Sequence, residues 1–168
     1  IGCNNDKTEA KKRWVKSKHW REQMNADDIL NCPQERFDLI KSLYPHYHAG
    51  LGKAGHVIFW ERPGELNMKE IKKHGITIDD MLNHWIFMTE YQWRILASDE
   101  SGDDLAKGIS VIDMEGVSMW DAMGGEAMDY LKKTIGIANK HYPERSYVIY
   151  LLNTPSWFNM LWGVLSVF

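Results

Sequence analysis

Gly108-Ile-Ser-Val-Ile-Asp113 and Tyr147-Val-Ile-Tyr-Leu-Leu152 decide the fold. Each is a short apolar run closed by turn residues: Met114-Glu115-Gly116 after the first, Asn153-Thr154-Pro155 after the second. Runs of this length and punctuation read as buried strands. Between them lies a helix-length stretch ending in Tyr142-Pro143-Glu144-Arg145. Strand, helix and strand in that order predict a right-handed crossover and a parallel sheet. Such sheets hold ligands beyond their strand ends or on one face.

Other elements extend outward from this unit. His56-Val-Ile-Phe-Trp-Glu61 is a further strand, bounded by Gly55 and by Pro63-Gly64. Residues 8–24 read as a basic helix capped by Thr8, with Lys11, Lys12, Arg13, Lys16, Lys18 and Arg21 along it and only Trp14 and Trp20 to bury. It is either a solvated helix or a basic membrane-surface patch. Residues 26–32 and 34–43 form two short helical pieces broken at Pro33, and Tyr44-Pro45 closes that lobe. Residues 67–74 suggest a short helix. Asp79 is expected to cap a longer one with Leu82, Trp85, Ile86, Thr89, Trp93 and Leu96 on one stripe. Residues 98–104 are an acidic loop. Ser118 with Asp121 resembles a capping box for a helix to about residue 140, with Met123, Ala127, Leu131, Ile135 and Ala138 inward. Ser156 opens a last helix with Phe158, Leu161, Trp162, Leu165 and Phe168 on its inner face.

The 168 residues fit one domain, or one with a small extra lobe. A net charge of −3 gives no whole-molecule attraction to nucleic acid or anionic membrane. Eight Trp and nine Met fit either a core of large side chains or a wide apolar cavity lined by soft ones. Cys3 and Cys32 lack metal-ligand spacing and suggest a reducing compartment. No run reaches the roughly 18 apolar residues of a membrane span. The start at Ile1 and the apolar pattern running to Phe168 lead us to expect a piece of a longer chain.

Motifs that carry chemistry fail on context. Gly50-Leu-Gly52-Lys-Ala-Gly55 matches a glycine-rich phosphate loop, but a dinucleotide loop follows a strand and this one precedes one. No kinase catalytic signature follows it. The run into Asp113 resembles the acidic strand of P-loop enzymes, yet no phosphate loop precedes it, so Asp113 is expected to fix the turn after its strand. His46 and His48 form an HxH pair with no third ligand placed by spacing, and are read as structural or surface histidines. With no nucleophile, acid–base pair or metal cluster, the sequence points to binding over catalysis. No metal and no cofactor are expected.

The order Trp20-Arg21, Tyr44-Pro45, a glycine-rich turn into Val57-Ile58-Phe59-Trp60-Glu61-Arg62, Asp113-Met-Glu-Gly116, Tyr142-Pro143-Glu144 and Asn153-Thr154-Pro155 resembles the CRAL-TRIO lipid-binding domain of the phosphatidylinositol-transfer type. The resemblance covers most of residues 10–168. It implies an α/β fold: a mixed, mostly parallel sheet flanked by helices, enclosing a hydrophobic lipid pocket, with a small helical N-terminal lobe. Residues 1–43 are assigned to that lobe and 44–168 to the lipid-binding domain. The gate helix and the basic residue for an inositol phosphate are implied to lie beyond Phe168.

Polar positions can be carried over one at a time. A family tyrosine in the first strand aligns with Phe59, which lacks the hydroxyl. A hydroxyl pair in the central strand aligns with Gly108 and Ser110, keeping one partner. An aromatic on the long helix corresponds to Phe87 or Tyr91. Strand alternation puts Gly108, Ser110 and Ile112 on one face and Val111 and Asp113 on the other. With Tyr150 from the next strand, the expected lipid-binding set is Phe59, Phe87, Tyr91, Gly108, Ser110, Ile112 and Tyr150.

The expected function is binding of a single phospholipid and its exchange between membranes. The chain is expected to be a cytoplasmic, non-enzymatic monomer that meets membrane surfaces transiently and binds no nucleic acid. A non-transfer regulatory module of a larger protein on the same fold is the second reading. A small α/β enzyme using Asp113 or the histidines is the third.

Overall fold

Asp6 starts the first helix. Its Oδ1 accepts the N–H groups of Thr8 and Glu9 at 2.9 and 3.1 Å, so the cap falls two residues before the expected Thr8. Helix α1 is Lys7–Gln23. The computed structural model describes residues 3, 5–97, 107–119 and 125–159. The acidic loop, Asp121, Met123 and the apolar residues from Leu161 onward lie outside them.

After α1, residues 26–32 hold only a 3-10 turn at Ile29–Asn31. Helix α2 is Phe37–Leu43, and the break at Pro33 stands as expected. Helix α3 is Met68–Lys73 and α4 is Ile78–Tyr91, continued by a π-helical turn at Gln92–Leu96. Thr77, not Asp79, caps α4. Its hydroxyl accepts the Asp80 N–H at 3.1 Å while Asp80 Oδ2 accepts the Thr77 N–H at 2.8 Å. The reciprocal pair satisfies two backbone donors at the helix start, one from each residue. Helix α5 is Gly125–His141.

The sheet has four strands in the order β1 (His46–Leu51), β2 (Val57–Glu61), β3 (Gly108–Asp113) and β4 (Ser146–Leu152). β1 runs antiparallel to β2, and β2, β3 and β4 are parallel. The mixed, mostly parallel sheet is therefore as expected. Strand β1 is new: His-Tyr-His-Ala-Gly-Leu lacks β-branched residues, and no strand was expected there. It pairs through a register shift between His48 and Leu51, where Gly50 takes a φ of +91° that a side chain would resist.

The helices share buried patches rather than standing alone. Ile40, Tyr44, Ile71, Ile76, Met81, Leu82 and Tyr130 form one cluster, joining α2, α3, α4 and α5. Ala26, Ile29 and Ile86 form a second, with Trp20, Trp85 and Phe87 packed on it. Fully burying one such aliphatic side chain contributes about 1.5–3 kcal/mol. β4 is different. Tyr147, Ile149 and Tyr150 are each more than half exposed, on both faces of the strand.

Candidate functional site

Register builds the site. Phe59 of β2 pairs with Ser110 of β3, and Ser110 pairs with Ile149 of β4. Paired residues share a face, so the three side chains form one row across three strands. Glu61, Ile112 and Leu151 form the next row, and His48 and His46 extend the two rows onto β1. The row is apolar at both ends with one hydroxyl between, and Ile149 is 54% exposed.

Helix α4 leans on the β1 end of that face. His84 Nε2 lies 2.8 Å from His46 Nε2, and Gln92 Oε1 lies 3.3 Å from His48 Nε2. The Tyr91 ring lies 5.9 Å from His48, and Phe87 stacks on Tyr91 while meeting Phe37 edge-on. At the start of β3, Gly108 is buried under the turn that ends α4. A Cβ there would press on the Gln92 amide and lie 3.1 Å from Trp93 Cη2. The predicted set thus divides. Phe59, Ser110 and Ile112 share the face, Gly108 seats the α4 end, and Tyr91 reaches the face through His48. Phe87 packs back into the second core cluster. Tyr150 pairs with Val111 and looks out from the opposite face.

Sequence reasoning missed the histidine chain. His46 Nδ1 stands 2.7 Å from the Tyr44 carbonyl, which only accepts, so Nδ1 carries the proton. In the neutral ring Nε2 then accepts, and His84 Nε2–H donates to it. That leaves His84 Nδ1 as a buried lone pair with no hydrogen-bond partner. Burial, which penalises the charged form, pushes His46 down to about 4 and His84 down to about 3. The two-residue spacing of His46 and His48 was the available signal for a strand; nothing marked His84. Beside His84 lies a cavity of about 200 Å³, lined by Gln34, Arg36, Phe37, Asp80 and Asn83 among others. It is mainly polar, unlike the apolar chamber the resemblance implies.

The quoted motifs hold the frame around this face. Tyr44 donates to Glu61 Oε2 at 2.6 Å; burial raises the Glu61 carboxyl, against the lowering effect of that bond. Asp113 Oδ1 accepts from the Asn153 amide at 2.8 Å and from the Glu115 N–H at 3.1 Å, and these bonds hold its carboxyl below the usual range. Asp113 therefore fixes its turn, as expected. Asn153 sits at a φ of 50°, a left-handed conformation that asparagine tolerates. Gly116, with a φ of 78°, packs against Gly64.

Among the described residues, no three His, Cys, Asp or Glu side chains gather as a metal-binding group. None of the described helices is long and apolar enough to cross a membrane. The described residues thus define an α/β domain whose mixed, mostly parallel sheet carries Phe59, Ser110 and Ile149 in one row, partly exposed, with a single hydroxyl at its centre.

Comparison with known proteins carries this further. A family profile described as the CRAL/TRIO domain matches residues 41–168. The CRAL-TRIO domain-containing protein YKL091C of Saccharomyces cerevisiae is 27% identical over 169 residues, spanning 92% of this chain and 52% of its own length. The SEC14 cytosolic factor of Yarrowia lipolytica is 28% identical over 95% of this chain and 32% of its own length. The phosphatidylinositol/phosphatidylcholine transfer protein SFH12 of Arabidopsis thaliana is 23% identical over 97% of this chain and 30% of its own. Among solved structures, the crystal structure of Sfh5 superposes with a TM-score of 0.70 at 22% identity, over 89% of this chain and 50% of that one. The chain belongs to the CRAL/TRIO domain family. It spans about a third to a half of the length of these relatives.

Proposed function

We propose that this protein binds one phospholipid against the face carrying Phe59, Ser110 and Ile149 and exchanges it between membranes. The row across three strands carries the reading. It offers an acyl chain two apolar contacts and one polar anchor, on a face the described helices leave partly open. Burying an alkyl chain contributes about 0.8 kcal/mol per CH₂, so a closed apolar site holds a two-chain lipid without further chemistry. Opening at a bilayer returns that free energy and lets the lipid leave.

The names of the relatives support the same direction, one being a phosphatidylinositol/phosphatidylcholine transfer protein and another a cytosolic factor. A monomer in the cytoplasm, in passing contact with membranes, follows from this reading, and no catalysis is invoked. Transfer is assigned to the whole protein, because the chain spans only part of its relatives.

Native mass spectrometry after incubation with phospholipid vesicles tests it. One lipid per chain is expected, with Ile149→Asp lowering occupancy while the fold stays intact. A protein that acquires no hydrophobic ligand under any vesicle composition overturns the reading.

A further inference from the structure

Helix α1 has an unusual surface. It carries seven Lys and Arg against two Glu, while the whole chain has a net charge of −3, so everything outside the helix is strongly acidic. None of its residues is buried, and Lys7, Lys11, Lys12, Lys16 and Lys18 all point to solvent. Glu9 is paired to Arg13 and Glu22 to Lys18, whereas Lys7, Lys11, Lys12 and Lys16 make no ion pair with any described residue. Between these lysines stand two large apolar side chains that the fold does not use. Trp14 is 65% and Val15 50% exposed, and Lys18 Nζ sits 6.0 Å above the Trp14 ring.

The helix is nonetheless fixed to the body. Arg21 grips Glu90 on α4 through two hydrogen bonds, and Trp20 stacks on His141 of α5 with the rings 4.1 Å apart. One side of α1 is locked and the other is basic with an exposed indole.

We infer that the Lys11–Lys18 surface of α1, with Trp14 as its anchor, docks this protein on a bilayer rich in anionic lipid. Charge complementarity selects the partner. Because the chain outside this helix has a net excess of acidic residues, the helix is the segment an anionic surface attracts most, and it orients the molecule there. Trp14 selects a bilayer over a polyanion, because an indole flanked by lysines is suited to the headgroup level, where its apolar body leaves water and its N–H stays wet. Docking by α1 would also give the proposed lipid exchange a fixed orientation. The surface itself does not depend on that reading, since it needs no occupied sheet face.

Vesicle co-flotation of the full 168-residue chain tests the assignment. Binding is expected to phosphatidylcholine vesicles supplemented with phosphatidylserine, to fall without phosphatidylserine, and to weaken at high salt. The variant Lys11→Glu/Lys12→Glu/Lys16→Glu/Lys18→Glu is expected to bind at least about tenfold more weakly. Arginine at the same four positions is expected to restore binding, and Trp14→Ala to lower it at unchanged charge. Because these side chains are exposed, melting temperatures should match the parent. Equal flotation of parent and charge-reversed chains overturns the proposal. So does tighter binding to duplex DNA than to the anionic vesicles, which would make α1 a nucleic-acid surface. Lipid occupancy measured on the same variants separates the two readings: loss of flotation with retained lipid upholds both, and α1-dependent flotation without bound lipid upholds the docking surface alone.

Discussion

Arg21 and Glu90 stand 69 residues apart in the chain and meet as a fork, Nη1 to Oε1 at 2.9 Å and Nη2 to Oε2 at 3.1 Å. Glu90 is almost fully buried, and Tyr142 donates to the same Oε1 at 2.6 Å. Arg21 also holds Asp27 through Nε and Nη2. Three separated pieces of sequence, including the Trp-Arg and Tyr-Pro-Glu motifs, thus converge on one carboxylate.

Removing Arg21 leaves that buried carboxylate with the Tyr142 hydroxyl and the more distant Arg94 guanidinium, 3.9 Å away, as its partners. Arg21→Ala is expected to cost about 3 kcal/mol in urea denaturation. Glu90→Gln in the same background should recover part of the loss, because the charge that needed a partner is gone. Additive losses in the double variant would show that the fork is not the source.

The His46–His84 pair sets a pH dependence. Both rings are neutral in the folded protein down to about 4 and about 3, whereas an unfolded histidine titrates near 6.5. Between those limits the unfolded chain binds more protons. Stability from burying neutral rings is therefore complete above pH 6.5 and is lost as pH falls toward 4, at about 1.4 kcal/mol per pH unit for each titrating ring. Glu61 acts in the opposite sense, since its raised carboxyl favours folding as it protonates. Urea midpoints from pH 7 to pH 4.5 should fall, and His84→Phe should flatten that slope. An unchanged slope in the variant would assign the effect elsewhere.

Two glycines should respond very differently to alanine. At Gly64 a Cβ would run into the Glu115 carbonyl and lie 2.7 Å from the Val117 nitrogen, all backbone. At Gly108 it would meet the ends of the Gln92 and Trp93 side chains, which can move. Gly64→Ala is expected to cost about 3 kcal/mol and Gly108→Ala about 1 kcal/mol. Gln92→Ala should rescue the second and leave the first untouched. Thermal melts of the three variants decide it.

Ser110→Ala removes the one hydroxyl of the central row without changing its shape. Stability should change by less than about 1 kcal/mol, because the side chain is only half-buried. If Ser110 anchors a headgroup or ester oxygen, lipid occupancy falls several-fold while apolar dye uptake persists. Occupancy equal to the parent would remove Ser110 from the site and leave only the apolar row.

The motifs that mark the family turned out to be joints. Asp113 holds Asn153, Gly116 packs on Gly64, Tyr44 holds Glu61, and Arg21 holds Glu90. Only the Tyr44–Glu61 contact lies on the face of the Phe59–Ser110–Ile149 row, one row along from it. A motif can therefore announce the fold with confidence in its order and spacing while saying little about the ligand.

The amino-acid sequence alone determined the parallel unit, because short apolar runs between turn residues admit few other conformations and alternation places Ser110 opposite Val111. It also showed the basic run of α1. Tertiary structure decided β1, where the spacing of His46 and His48 was too slight a signal and β2 supplies the hydrogen bonds that make it a strand. It also decided that Tyr150 looks away from Ser110, since register depends on the neighbouring strand and not on composition. His84 reaches His46 only because a helix 38 residues on is laid across that strand, and no local pattern encodes such a meeting.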